Sequence, residues 1–213
     1  MIVGKIMIVG KIMIDMQAWM DQKEIDFVIS YLKPNSTMLE WGSGGSTISF
    51  SNYVKYYYSI EHNLDWYVDV RKELVDKNIE NVGHYLSCHP KGRAEVYGEF
   101  FDKWKQHLIE VSQEENNNLT GLTEYYDVRD RFIWKNYIDF VDKLKVDYFD
   151  FVFIDGQSRP NCAKKALKFI NENSVVFMHD YFKRPQYHIV KQDYEVIGGV
   201  EDTSQTIVAL KKK

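Results

Sequence analysis

Carboxylates and imidazoles stand at five places where a short apolar run ends. Glu40 leads into Gly42-Ser43-Gly44-Gly45-Ser46-Thr47, Glu61-His62 closes "KYYYSIE" and Cys88-His89 closes "VGHYLSCH". Asp155-Gly156 closes "YFDFVFID", and His179-Asp180 closes "SVVFMHD". In open α/β sheets, ligands gather at the carboxyl ends of strands, near the point where strand order reverses. Acids converging on one such edge repel unless cations, donors or ligand hydroxyls compensate them. Any one of them alone is explained as a helix cap or surface acid. Their clustering is the functional signal.

The glycine turn narrows the ligand. A dinucleotide fingerprint counted from Gly42 needs a third glycine at position 47, where Thr47 stands. Glu40 also sets a negative charge where a pyrophosphate would lie, and no Lys-Ser/Thr pair follows to make a phosphate loop. An acid at the first strand end suits an amino group, directly or through water. The bare turn of Gly42, Ser43 and Gly44 then admits an amino-acid moiety and a neighbouring ribose, with Ser46 or Thr47 opening the next helix. Glu61 follows Glu40 by 21 positions, and an acid there can accept both ribose hydroxyl hydrogens. The alternative is a tight strand-to-helix connection that binds nothing.

The elements that must position these residues alternate. A helical pattern runs from 15 to 32 through Met16, Trp19, Met20, Ile25, Phe27, Val28, Tyr31 and Leu32, and Pro34-Asn35 stops it. "TMLEW" and "KYYYSIE" read as strands around a short helix, followed by the amphipathic "NLDWYVDVRKELVDKN" and a third strand, "VGHYLSCH". "YFDFVFID" has the unbroken apolar character of a strand buried on both faces, and "NCAKKALKFINEN" is a helix with Pro160 favouring its start. "SVVFMHD" and two strands within "YEVIGGVEDTSQTIVAL" complete an open α/β sheet with an antiparallel strand at its C-terminal edge. Residues 91–146 exceed a minimal crossover and are expected as an insertion, with a helix over 130–146 that turns Phe132, Ile133, Tyr137, Phe140, Val141 and Leu144 inward. Trp104, Trp134, Tyr125 and Tyr126 in this interval are candidates for a sugar-stacking wall, and equally for core.

Composition bounds the rest. The chain has 213 residues, a formal net charge of −4 and 45% hydrophobic residues, which fits one domain over 15–213 and gives no field that would attract nucleic acid or an anionic membrane. Two distant cysteines, Cys88 and Cys162, make neither a disulfide framework nor a zinc signature. "MIVGKI" occurs twice in tandem within a leader at 1–14, too short and too charged for a membrane span of ~20 apolar residues. It is expected to be an unstructured leader or a strand that pairs with a dimer mate. With no signal peptide in the sequence, the expected location is the cytoplasm, that of a host if the source is viral.

"LEWGSGGST", "SIEHN", "FVFIDG" and "VVFMHDY", in this order, resemble class I S-adenosylmethionine-dependent methyltransferases. The first motif of that family, acid-x-Gly-x-Gly, is met by Glu40, Gly42 and Gly44, and its ribose-binding acid by Glu61. The resemblance implies a Rossmann-like seven-stranded sheet with one antiparallel strand and helices on both faces. It also implies S-adenosylmethionine as methyl donor, leaving S-adenosylhomocysteine. Glu40, Gly42, Ser43, Gly44, Ser46, Thr47, Glu61 and His62 are the expected cofactor residues, with His89 and Trp66 or Tyr67 beside the adenine. "FIDGQSRPNCAKKAL" and "VVFMHDYFKRPQY" are similar to small algal-virus methyltransferases linked to glycan modification.

A hydroxyl acceptor needs its proton removed by a base or by metal coordination. Asp155, His179 and Asp180 are the catalytic candidates. Several O-methyltransferases of this class hold a metal with an acid after the fourth strand and an acid pair after the fifth, so Asp155 and Asp180 are candidate Mg²⁺ ligands. The pair here is His179-Asp180, so direct base catalysis stands equally beside the metal. Arg159, Tyr181 and Arg184 are candidates for holding a small-molecule or glycan acceptor. Nucleic-acid methylation is disfavoured because Asp155-Gly156-Gln157-Ser158 stands where an Asn-Pro-Pro-Tyr-like run would be. The rivals are methylation of protein, a non-catalytic module with this fold, and a nicotinamide-dependent dehydrogenase, the last weakened by Glu40 and Thr47.

Overall fold

Phe151–Ile154, four residues without a polar side chain, form a strand buried on both faces, and the sheet is built outward from it. The computed structural model describes residues 18–87 and 131–213. The leader at 1–14, Cys88, His89, Trp104, Tyr125 and Tyr126 lie outside the described residues. The strands are β1 Thr37–Trp41, β2 Tyr56–Glu61, β3 Val82–Leu86, β4 Phe151–Ile154, β5 Val175–His179, β6 Tyr194–Val200 and β7 Ile207–Lys212. The helices are α1 Gln22–Ile29, α2 Gly45–Phe50, α3 Leu64–Asp76, α4 Lys135–Ile138 and α5 Arg159–Ala166.

Strand order is β3-β2-β1-β4-β5-β7-β6. β1 to β5 run parallel, and β7 alone runs against its neighbours. The antiparallel strand therefore lies one position in from the edge, which β6 forms. Burial explains that placement: Ile207, Val208, Ala209 and Leu210 are fully buried, while β6 exposes Val196 and Ile197. Order reverses between β1 and β4, so a crevice opens beyond their carboxyl ends.

Alternation along each strand divides the core. Leu39, Trp41, Val152, Ile154, Val176 and Met178 face α4 and α5, meeting Tyr137, Ile138, Cys162, Ala163 and Ala166. Met38, Phe151, Phe153, Val175 and Phe177 face α1, α2 and α3, meeting Val28, Phe50, Val70 and Leu74. Glu40 has the parity of Met38 and so points beneath α2 with no surface exposed.

Two helices differ from expectation. α1 begins only at Gln22 because Asp21 caps it, its N–H donating to Glu24 Oε2 at 2.8 Å while the Glu24 N–H donates back to Asp21 O at 2.9 Å. Trp19 and Met20 thus precede the helix. The expected helix over 130–146 breaks after Ile133 into α4 and a 3₁₀ turn, Asp139–Lys143. Ile133, Tyr137 and Val141 are buried as expected, whereas Phe132 is exposed.

α1 is fixed to the sheet through Phe177, whose ring meets Phe27, Tyr31 and Phe151 with centroids 5.4–6.4 Å apart. Phe177→Ala is expected to lower unfolding stability by about 3–5 kcal/mol, measured by urea denaturation.

Candidate functional site

The turn after β1 owes its shape to one backbone contact. Gly42 has φ +97°, and a Cβ there would lie 2.5 Å from the Gly156 nitrogen. A Cβ on Gly156 would in turn strike the Tyr137 hydroxyl. Two bare residues therefore let the ends of β1 and β4 touch, with Trp41 O accepting from Asp155 N–H at 3.0 Å and Gly156 N–H at 2.8 Å. Gly44 is different. Its backbone is extended, with φ 178°, and an added Cβ would meet Trp66 at an ordinary 3.7 Å. Neither the backbone nor a protein neighbour requires glycine at position 44.

Glu40 lies under this turn. Ser46 and Thr47 hydroxyls donate to its carboxylate at 2.5 Å, and Ser59, its register partner on β2, donates at 2.6 Å. Thr47 Oγ1 also accepts from the Gly44 N–H at 3.0 Å. Burial pushes the Glu40 pKa up to about 7 despite those three donors. In this structure the carboxylate braces the turn from below, a supporting role beside the expected service to a ligand amino group, directly or through water.

Glu61 faces the opening. Its Oε2 accepts from the Ser43 N–H at 3.0 Å and hydroxyl at 3.2 Å. Its Oε1 accepts from the N–H groups of His62 at 2.9 Å and Asn63 at 2.7 Å, with His62 Nδ1 at 3.0 Å. Burial alone would raise the Glu61 pKa, but His62 and these N–H groups outweigh it and hold the value below the ordinary range. Gly42–Ser46, Glu61–Asn63, Trp66, Asp155–Gln157, Trp19 and Met20 together line a cleft of about 310 Å³. Trp66 Nε1 donates to Ser43 O at 2.5 Å, and its ring meets Trp19 at 5.5 Å.

Of the three catalytic candidates, Asp155 alone lines this cleft. His179 is 3% exposed and sits behind it, with Nδ1 2.8 Å from Asp155 Oδ1 and Nε2 3.8 Å from the buried Glu24 carboxylate. Burial alone would lower the His179 pKa, but the hydrogen bond and charge of Asp155 outweigh it and raise the value. Arg159 is also inside. It donates to Gly156 O at 3.0 Å and His179 O at 2.6 Å, and pairs with Asp155 at 3.1 Å and Asp180 at 3.3 Å. Asp180 takes Arg184 at 3.4 Å as well.

These contacts bear on two expectations. The metal expected between Asp155 and Asp180 does not fit, because a guanidinium already stands between the two carboxylates. Among the described residues no group of three His, Cys, Asp or Glu is arranged to hold an ion. The expected acceptor residues are each engaged by the protein. Arg159 is spent on the strand ends, Tyr181 is 1% exposed in the core, and Arg184 is drawn to Asp180.

No protein-family model and no curated protein sequence matches the chain. Solved structures do. A methyltransferase-like protein from Silicibacter pomeroyi superposes with a TM-score of 0.60 at 16% identity, covering 93% of this chain and 90% of that one. A candidate methyltransferase from Streptococcus mutans, in complex with SAH, gives 0.53 at 14%, covering 90% and 96%. An rRNA methylase from Streptococcus thermophilus gives 0.51 at 11%, covering 89% and 94%. The fold is that of the class I methyltransferases.

On this methyltransferase fold, six cleft residues were not among the expected site residues: Trp19, Met20, Gly45, Asn63, Gly156 and Gln157. The Asp21-x-x-Glu24 capping pattern is the signal that frees Trp19 and Met20 from the helix, and Asn63 is readable as the cap of α3, its Oδ1 accepting from the Trp66 N–H at 3.0 Å. Trp66, expected at the adenine or in the core, is in the cleft wall. Tyr67 instead stacks on His84 at 4.2 Å. Thr47 is fully buried beneath the turn. No helix among the described residues is long and apolar enough to cross a membrane.

Glu40 makes stability depend on pH. Its folded-state pKa of about 7 lies above the ordinary 4.5, so its contribution is complete below pH 4.5 and is lost as pH rises through 7. Wild-type stability should fall by about 3 kcal/mol across that window from this group. Glu40→Gln should flatten that share of the profile in urea titrations at pH 5, 6, 7 and 8.

Proposed function

We propose that the chain is an S-adenosylmethionine-dependent O-methyltransferase, with the donor in the Gly42–Ser46 cleft and Asp155 as the base toward a hydroxyl of a small molecule or sugar. Gly44 carries this reading. The protein leaves room for a side chain there, so the bare position is explained by a ligand that lies against it. Glu61, beside the same turn, is placed for a ribose, and the Trp19–Trp66 pair offers a flat apolar wall.

When bound, S-adenosylmethionine supplies a methyl group on a sulfonium, open to in-line displacement by a correctly placed nucleophile. The chain's contribution is position and proton removal. Ser43 and Gly44 form the floor, and Asp155 stands at the adjacent strand end with its Oδ1 held by His179 and Arg159. Its other oxygen is left to take the hydroxyl proton. His179 and Arg159 act as positioning residues because neither lines the cleft. Arg159 also offsets the repulsion between Asp155 and Asp180, the role that a divalent cation would otherwise serve.

Two outcomes test this. Gly44→Ala should keep the wild-type melting temperature within ~1 °C, because its Cβ meets only an ordinary contact, yet weaken binding of labelled S-adenosylmethionine by at least tenfold, about 1.4 kcal/mol. Gly42→Ala should lose both fold stability and binding. Equal binding by Gly44→Ala and wild type would remove the ligand explanation for that glycine. Methyl transfer to a panel of sugars and small alcohols should persist in EDTA and fall about 10²–10⁴-fold in Asp155→Asn. Activity that EDTA abolishes, or that Asp155→Asn retains, would overturn the assignment of the base.

A further inference from the structure

Ser43 and His84, 41 positions apart, form a contact that the roles above do not use. Glu61 already receives three backbone N–H groups at 2.7–3.0 Å, all fixed by the chain. The Ser43 hydroxyl makes the longest of the contacts on Glu61, at 3.2 Å beside 2.7–3.0 Å for the N–H groups and His62 Nδ1, and it can rotate. A carboxylate offers about four acceptor sites, so a ligand hydroxyl that docks on Glu61 competes first with this one. Ser43 Oγ is meanwhile held from behind by His84 Nε2 at 3.0 Å.

The His84 ring cannot readily turn away. It is 8% exposed, stacked against Tyr67 with centroids 4.2 Å apart and an interplanar angle of 27°. Burial pushes its pKa down to about 4, so the ring is neutral at neutral pH. Its Nδ1 is buried with no hydrogen-bond partner. A neutral imidazole with a bare Nδ1 carries its proton on Nε2, and so donates to Ser43 Oγ. The single hydroxyl hydrogen of Ser43 is thereby turned toward the cleft side.

We propose that Ser43 and His84 read one hydroxyl of the vicinal diol of a ribonucleoside, that hydroxyl inserting into the long Ser43–Glu61 contact. The resulting chain is continuous. His84 Nε2–H donates to Ser43 Oγ, the Ser43 hydroxyl donates to the ligand oxygen, and the ligand hydroxyl donates to Glu61 Oε2. Every donor finds an acceptor and no tautomer changes. Ser43 touches the ligand, whereas His84 acts through Ser43 as a positioning residue. The inference rests on the proposal that the cleft binds an adenosine-containing donor, and it adds which groups distinguish the ribose from its deoxy form.

The test is calorimetric titration with S-adenosylhomocysteine and with its 2′,3′-dideoxy counterpart. Ser43→Ala should weaken binding of S-adenosylhomocysteine roughly tenfold, as expected when a buried polar contact is left unpaired. The dideoxy ligand should bind Ser43→Ala and wild type equally. His84→Leu should cost a similar factor alone but little on top of Ser43→Ala, and His84→Gln, which keeps an N–H donor within reach, should recover most of it. A merely structural role for His84 would instead cost the same factor in both backgrounds and with both ligands, and would overturn the proposal. Wild-type affinity or better in Ser43→Ala would overturn it too, and that comparison stands even if His84→Leu fails to fold. Failure of the wild type to bind S-adenosylhomocysteine at all would fall on the underlying reading of the cleft instead.

Discussion

The site depends on two glycines touching across the switch point of the sheet. Gly42 and Gly156 have no side chains to hold β1 and β4 apart, and a Cβ on Gly42 would come within 2.6 Å of the Gly156 backbone. That approach sets the Ser43–Gly44 floor and the Asp155 carboxylate into one crevice. It also converts a general property of open α/β sheets, a gap where strand order reverses, into a site with an acid on one side and a bare peptide on the other.

Charge is handled in layers around this contact. Glu40 is kept inside by three hydroxyls, Glu61 is held by backbone N–H groups, and Asp155 and Asp180 share the Arg159 guanidinium. Each acid thus has its own compensation, and none needs a metal to be accommodated. Glu24, fully buried at the start of α1 and 3.8 Å from His179, extends the Asp155–His179 line away from the cleft. The segment that supplies Trp19 and Met20 to the cleft wall is therefore tied to the same network that orients Asp155.

Much of this was legible in the sequence. The strand ends bearing Glu40, Glu61, Asp155 and His179 were readable because apolar runs of strand length stopped at those residues, and the glycine turn was readable by its departure from the dinucleotide spacing. What stayed hidden was direction. Glu40 reads as a ligand contact, and only alternation along β1 places it with Met38, beneath α2. Arg159 looks like a substrate residue in a loop, yet its i, i+4 spacing from Asp155 and the adjacency of β4 and β5 turn it inward between two acids. The Ser43–His84 contact depends on the pairing of β2 with β3, which sets Ser59 opposite His84. No local pattern announces it.

The most direct test of the account is a calorimetric titration of the wild-type protein with S-adenosylhomocysteine and, in parallel, with NAD. The cleft predicts saturable, stoichiometric binding of S-adenosylhomocysteine and none of NAD, because Thr47 stands where the dinucleotide fingerprint counted from Gly42 needs its third glycine. Binding of NAD without binding of S-adenosylhomocysteine would contradict it.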